Sequence, residues 1–180
     1  MPHIIERAPT GRAKCRGCGR PIAAKEWRFG ERLPNPYADG EGAEMTHWYH
    51  PLCGAFKRPE PILEFLAATT DAIDGRDTLQ RHADAGIAHR RLPRVDAISR
   101  APSGRATCRH CRVAIDKGLW RVALVYYEDG RFAPSGYIHL TCAKDYLETA
   151  DLLDRLRHFS PDLGDADAAE IGAVLGNRES

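Results

Sequence analysis

The spacing of its cysteines constrains this chain more than any other feature. Cys15-x2-Cys18 is answered by His50-x2-Cys53, and Cys108-x2-Cys111 by His139-x2-Cys142. A Cys-x2-Cys knuckle turns both sulfurs toward one point, and a His-x2-Cys pair closes the other half of a tetrahedral zinc site. An offset of 93 lays Cys15 and Cys18 on Cys108 and Cys111, and an offset of 89 lays His50 and Cys53 on His139 and Cys142. The six cysteines are thereby used up, three per site.

Two other uses of paired cysteines fit less well. A disulfide framework leaves unexplained why a histidine recurs at the same place in both copies, and no charged-then-apolar leader precedes the first knuckle. A redox Cys-x2-Cys pair belongs in a βαβ setting, which the sequence does not offer. The expected cofactors are two structural zinc ions, held by Cys15, Cys18, His50 and Cys53 and by Cys108, Cys111, His139 and Cys142. His47 aligns with Gly136 and His110 with Gly17, so neither is expected to ligate. Surface or supporting roles are expected for these two and for His3, His82, His89 and His158.

The 180 residues and an internal repeat of roughly 90 predict two homologous modules, 1–92 and 93–180. Leu92-Pro93-Arg94 marks the boundary. Modules this small bury a modest core, so a zinc ion worth about 10–16 kcal/mol of apparent binding energy carries much of their folding. The fold class expected is small α+β: in each module a short antiparallel hairpin or sheet, a zinc site, then helices.

Along each copy the elements follow one order. Arg7-Ala8-Pro9-Thr10-Gly11-Arg12-Ala13 returns as Arg100-Ala101-Pro102-Ser103-Gly104-Arg105-Ala106 and reads as an extended lead-in with a turn. Strands are predicted over 26–32 and 119–127, with a turn at 128–131 in the second copy. The returning strands, 45–49 and 137–138, deliver His50 and His139. The first copy's loop is longer and carries Pro34, Asn35, Pro36, Asp39, Gly40 and Gly42. A helix is expected to start at the last cysteine of each site. Ile62, Leu63 and Leu66, matched by Leu152, Leu153 and Leu156, predict a second helical face. Third helices are predicted near 77–88, with Leu79, Ala83 and Ile87 as the stripe, and from Asp167-x-x-Glu170, which resembles a capping box, to Gly176. Trp27, Trp48 and Trp120 are expected to pack in the core.

The net charge is only +1, so the chain is not globally basic. Its arginines nevertheless crowd the knuckles: Arg7, Arg12, Arg16, Arg20, Arg28 and Arg32, then Arg100, Arg105, Arg109, Arg112 and Arg121. Carboxylates gather after the ligands, between Asp145 and Glu170. That polarity predicts one basic face per module, the footprint of a phosphate-binding surface. No apolar run approaches the 18 residues of a bilayer span, and no membrane partner is expected. Four Cys/His ligands fill a zinc shell and leave no place for a reacting water, so an enzyme is not expected.

The ligands together with residues around them carry a resemblance to a known family. Gly11-Arg12-Ala13, Cys15, Cys18, Ile22, Arg28, His47-Trp48-Tyr49-His50 and Cys53, with Gly104-Arg105-Ala106, Cys108, Cys111, Ile115, Lys117-Gly118, Arg121, His139 and Cys142, look like tandem poly(ADP-ribose) polymerase-type zinc fingers. The pattern departs from the family at Gly54 and Ala143, where Phe is usual, and at Tyr137, where Trp is expected. The resemblance implies a zinc-dependent, sequence-independent protein that recognises DNA strand breaks, whether nicks, gaps or ends. Arg12, Arg28, Arg105 and Arg121 are the implied phosphate-binding residues. Tyr37, Met45 and Phe132 are the implied base-stacking residues, with Leu33 and Tyr127 as alternatives. It further implies broken or open-ended DNA as partner, with a DNA repair enzyme as a further one, and a cytoplasmic or nucleoid location in a bacterium or a nuclear one in a eukaryote. A protein-interaction adaptor on the same zinc scaffold is the competing reading.

Overall fold

The computed structural model describes residues 2–35, 37 and 43–176. The chain divides into two compact units, Met1–Ala88 and His89–Ser180. In the first, β1 (Ile4–Arg7), β2 (Trp27–Pro34) and β3 (Glu44–Tyr49) precede α1 (Pro51–Lys57), α2 (Pro59–Ala68) and α3 (Arg76–Ala88). In the second, β4 (Val95–Arg100), β5 (Trp120–Glu128) and β6 (Arg131–His139) precede α4 (Leu140–Leu147), α5 (Leu153–Phe159) and α6 (Asp165–Leu175). Leu92–Arg94 forms a 3-10 turn that enters β4. Both sheets are antiparallel, in the order β1-β2-β3 and β4-β5-β6.

The first strand of each sheet was not evident in the sequence. β1 and β4 lie just ahead of the Gly-Arg-Ala turns and pair with the central strand through Glu6↔Arg28 and Ser99↔Arg121. The returning strands are also longer than expected, and in the second unit β6 begins at Arg131 directly after a tight turn. Asp129 and Gly130 both have positive φ, 49° and 75°, the signature of a two-residue type I′ connection whose twist suits the paired strands.

One face of the first sheet packs on the helices. Phe29 and Tyr49 are fully buried with Phe56, Ile62 and Leu66, and the Phe29 ring lies 6.3 Å from both Tyr49 and Phe65. Gly54 allows that approach, because a Cβ there would stand 3.0 Å from Phe29 Cδ1. Phe29 thus occupies space beside the last ligand of the site. Glu31 is 1% exposed and is held by Arg58 through Nε at 3.0 and 3.1 Å and through Nη2, and by the Tyr49 hydroxyl, which donates at 3.2 Å. A buried carboxylate is tolerable only when its oxygens are satisfied in this way.

The helices depart from expectation in four places. α1 and α4 begin two residues before the final cysteines, with His50 and His139 at their N-caps. In α3, Leu79 and Ala83 are buried but Ile87 is 45% exposed. His82 fills the stripe instead, its ring 4.5 Å from Phe56. The capping box does not form: α6 starts at Asp165 after Gly164, with no side-chain cap. Glu170 turns to the sheet, accepting from Trp120 Nε1 at 3.0 Å and Arg100 Nη2 at 2.7 Å. A tertiary ion pair at that carboxylate displaces the local cap, which is worth only about 1 kcal/mol. α6 ends as expected at Gly176, with φ 82°.

The tryptophans are half-buried beneath arginines rather than enclosed in the core. Arg7 lies 4.1 Å from the Trp27 ring centroid, Arg100 4.1 Å from Trp120, and Arg28 3.5 Å from Trp48. Such stacking uses the negative face of the indole to hold a guanidinium over the sheet. Gly30 makes room for Trp48, because a Cβ at that position would meet Trp48 Cζ3 at 2.8 Å.

Two turn positions are left-handed in both units, and each unit has glycine at only one of them. Gly19 (φ 72°) corresponds to Arg112 (φ 65°), and Lys25 (φ 67°) to Gly118 (φ 87°). A non-glycine residue there costs about 1 kcal/mol, partly offset by the freedom glycine adds to the unfolded chain. Arg112→Gly and Lys25→Gly are therefore expected to stabilise the second and first units by about 0.5–1 kcal/mol each. Denaturant unfolding of the zinc-loaded protein measures this, and a loss of stability in either variant would contradict it.

Candidate zinc centres and the arginine surface around them

The knuckle of each unit is a small hairpin tied to the returning strand. In the first, Lys14 bridges Pro21, Cys15 N–H donates to the Arg20 carbonyl at 2.9 Å, and Arg16 N–H donates to the Trp48 carbonyl at 2.8 Å. In the second, Thr107 bridges Ala114, Cys108 N–H reaches the Val113 carbonyl at 2.9 Å, and Arg109 N–H reaches the Tyr137 carbonyl at 2.9 Å. These backbone bonds bring ligands separated by a loop and a strand to one point.

The ligand atoms converge as the repeat requires. Cys15, Cys18, His50 and Cys53 form one group and Cys108, Cys111, His139 and Cys142 the other, with the donor atoms of each within 4.8 Å of one another. His50 Nδ1 lies 3.4 Å from Cys18 Sγ and 3.8 Å from Cys53 Sγ. His139 Nδ1 lies 3.4 Å from Cys111 Sγ and 3.9 Å from Cys142 Sγ. A tetrahedral zinc with bonds of about 2.0–2.3 Å places its ligand atoms about 3.5–3.8 Å apart. Both Cys3His groups therefore fit a structural zinc ion. His47 and His110 belong to neither group.

Groups around the ligands orient them. In both histidines Nδ1 faces the sulfurs and leaves Nε2 outward: His139 Nε2 lies 3.2 Å from the Ala114 carbonyl, and His50 Nε2 lies 3.7 Å from Glu26 Oε2. An acceptor at Nε2 keeps the proton there and the Nδ1 lone pair free for the metal. The Cys15 and Cys108 sulfurs accept backbone N–H bonds from His50 at 3.3 Å and His139 at 3.4 Å. Arg20 Nε donates to Cys18 Sγ at 3.4 Å.

Protonation of these ligands is coupled. Hydrogen bonds with Cys15 and Cys53 hold the Cys18 thiol well below its ordinary range, whereas contacts with Cys15 and Cys18 push Cys53 far above it. His50 is raised to about 10 by its hydrogen bonds with Cys15 and Cys18. Burial works to raise Cys108, but backbone N–H groups of Cys111, His139 and His110 bring it down to about 6. Cys142 is pushed up to about 12 by burial and then by the charge of Cys108. Neighbouring sulfurs resist ionising together, and a divalent cation supplies the charge that lets them do so.

The arginines differ in how far they are committed. Arg12 and Arg105 are exposed, and neither has a hydrogen-bond or ion-pair partner among the described residues. Arg28 is 9% exposed, ion-paired with Glu6 through Nε at 3.0 Å and through Nη2, and stacked on Trp48. Arg121 is half-buried, stacked 3.9 Å from the Tyr137 centroid, with Nε 3.4 Å from Ser99 Oγ. Of the base-stacking candidates, Tyr37 is 87% exposed, and Met45 and Leu33 are half-buried on paired strands. Phe132 packs against Tyr127 at 4.9 Å. Pro36, Asp39, Gly40 and Gly42 of the first loop, and the last residues 177–180, lie outside the described residues. Sequence reasoning missed the roles of Glu6, Glu170 and Trp48 as partners of arginines. Only the pairing of β1 and β3 with β2, and the contacts of α6 with Arg100 and Trp120, reveal them.

The fold and ligands define a class: a structural Cys3His zinc module on a three-stranded antiparallel sheet, present twice. Residues 6–90 match the family described as the poly(ADP-ribose) polymerase and DNA-ligase zinc-finger region, so the chain carries a poly(ADP-ribose) polymerase-type zinc finger. It is 28% identical over 143 residues to a poly(ADP-ribose) polymerase of Drosophila melanogaster, covering 71% of this chain and 14% of the relative. With poly(ADP-ribose) polymerase 1 of Gallus gallus the identity is 30% over 139 residues, 68% of this chain and 13% of the relative. With that of Oryza sativa subsp. japonica it is 28% over 149 residues, 76% and 14%. These matches extend past the first module, and the chain spans only about a seventh of those relatives' length.

Two outcomes test the centres. The protein is expected to bind two zinc ions, Cys53→Ser or Cys142→Ser to reduce this to one, and chelation to unfold both modules. Metal content together with circular dichroism reads this, and retained structure after full chelation would contradict it. The second concerns His47, which is 4% exposed with Nδ1 unpartnered. Burial, and then the charge of Arg16, lowers it from its ordinary 6.5. The unfolded chain therefore takes up the proton first, and the stability contributed by neutral His47 is complete above about pH 6.5 and lost as pH falls below it. His47→Phe should remove this component. The difference between wild type and variant, measured by denaturant unfolding at pH 7.5 and 5.5, cancels the acid response of the zinc ligands.

Proposed function

We propose that the protein is a zinc-dependent, sequence-independent DNA-binding protein that recognises strand breaks, with the two modules acting as tandem fingers. The observation that carries the reading is the pair Arg12 and Arg105. Each is exposed and without a salt-bridge partner among the described residues, and each occupies the same turn ahead of a zinc knuckle in a chain whose residues 6–90 match the finger model. A guanidinium fork matches phosphate oxygens in a bidentate manner and carries no base information. Arg121, on its tyrosine platform, and Arg28, on its tryptophan platform, complete the phosphate-binding set.

Preference for breaks comes from stacking. An intact duplex exposes no base face away from its ends, whereas a nick or end offers one, and an aromatic side chain placed on it gains about 1–3 kcal/mol without regard to sequence. Tyr37 is the aromatic best placed for this by exposure, and Met45, half-buried on β3 opposite Leu33, is the second candidate of the first module. Phe132, packed on Tyr127 at the second hairpin, is the second module's candidate.

The test is equilibrium binding of the zinc-loaded protein to one DNA sequence as a closed dumbbell, a singly nicked dumbbell and a linear duplex, over a range of salt. Tighter binding to the nicked or open forms is expected, with affinity falling as salt rises because phosphate contacts release counterions. Arg12→Gln with Arg105→Gln should weaken binding to all three forms by about 10-fold or more, and Tyr37→Ala should reduce only the preference for the nick. Equal, weak binding to all three forms would overturn the proposal and favour a protein-interaction adaptor on the same scaffold.

A further inference from the structure

The two modules present the same guanidinium on the same kind of platform, but with different company. The repeat that lays Arg28 on Arg121 also lays Glu6 on Ser99, and the strand registers Glu6↔Arg28 and Ser99↔Arg121 put each pair side by side. Arg28 stacks on Trp48 at 3.5 Å, and Arg121 on Tyr137 at 3.9 Å. Glu6 takes two donors of Arg28. Ser99 offers Arg121 a hydroxyl oxygen at 3.4 Å, and no carboxylate lies within ion-pairing distance of Arg121 among the described residues.

We infer that the residue at this one strand position, Glu6 in the first module and Ser99 in the second, sets how strongly each module holds a phosphate, so that Arg121 is the principal strand-borne grip on the DNA backbone. The inference rests on the DNA-binding reading above. A phosphate brought to Arg28 meets the Glu6 carboxylate at nearly the same distance, and the repulsion offsets much of the attraction. It must also compete for donors that Glu6 already occupies. At Arg121 the phosphate meets an uncompensated cation whose Nη donors have no protein acceptor among the described residues. The aromatic ring beneath holds the guanidinium in place, so little side-chain freedom is lost on binding.

The decisive variant is Ser99→Glu, at an exposed strand position, which exchanges the hydroxyl acceptor of Arg121 for a carboxylate. It is expected to weaken binding to the nicked dumbbell by about 10-fold and to reduce the slope of log affinity against log salt by about 1, with unfolding in denaturant confirming that the module stays folded. Ser99→Ala should bind as wild type. Arg121→Gln should likewise lower the slope by about 1, whereas Arg28→Gln should lower it by clearly less. This second pair decides the matter should Ser99→Glu fail to fold. Wild-type affinity and slope in folded Ser99→Glu, or equal losses in the two arginine variants, would overturn the inference. Failure of the wild-type protein to bind any of the DNA forms would instead overturn the DNA-binding reading itself.

Discussion

Everything in each module depends on four donor atoms meeting at one point. Three sulfurs and an imidazole nitrogen cannot be held within a few ångströms by apolar packing alone, because their charged forms repel and their neutral forms waste the contact. A zinc ion resolves this, and its binding energy then becomes folding energy. The sequence elements serve that convergence: the knuckle hairpin presents two cysteines, the returning strand delivers the histidine, and the helix beginning beside it carries the last cysteine inward. The buried layer of Phe29, Tyr49, Phe56, Ile62 and Leu66 packs beside that end of the first sheet.

Charge pairing is a second tie. Buried Glu31 with Arg58 and Tyr49 ties the first sheet to the helix junction, and at the surface Glu170 with Arg100 and Trp120 ties the second sheet to its last helix. The arginines that the sequence crowds together thereby divide into two kinds. Some brace the fold by stacking on aromatic rings and pairing with carboxylates. Others, Arg12 and Arg105 among them, remain exposed and, like the Nη donors of Arg121, can meet a phosphate without first breaking an ion pair.

The modules are alike in framework and unlike in working surface. The first has a long loop with an exposed tyrosine and a strand arginine neutralised by Glu6. The second replaces the loop by a two-residue turn, packs its hairpin aromatic on Tyr127 and leaves its strand arginine opposite a serine. Duplication retained the metal site, where any change costs the whole fold. Divergence lies outside it, at Glu6 against Ser99 and at the loop between the second and third strands of each sheet.

The ligand spacing and its repeat determined the zinc sites and the two-module organisation, and residue propensity and periodicity gave the hairpins and the helices after them, because metal coordination and turn chemistry are local and tolerate few alternatives. Gly11-Arg12-Ala13 and its repeat likewise marked the exposed arginines, since turn residues need no partner to be read. What only the tertiary structure decided were long-range pairings with weak local signatures. β1 and β4 are short, and their strand character comes from bonding to the central strand. Glu170 reads as a cap until α6 docks and offers it two stronger partners. His82 takes the place of Ile87 in the helical stripe, its ring packed at a tilt against Phe56. Whether Arg28 and Arg121 are engaged or free is set by the residue across the sheet, Glu6 or Ser99, and register is a property of paired strands that one strand's sequence does not contain.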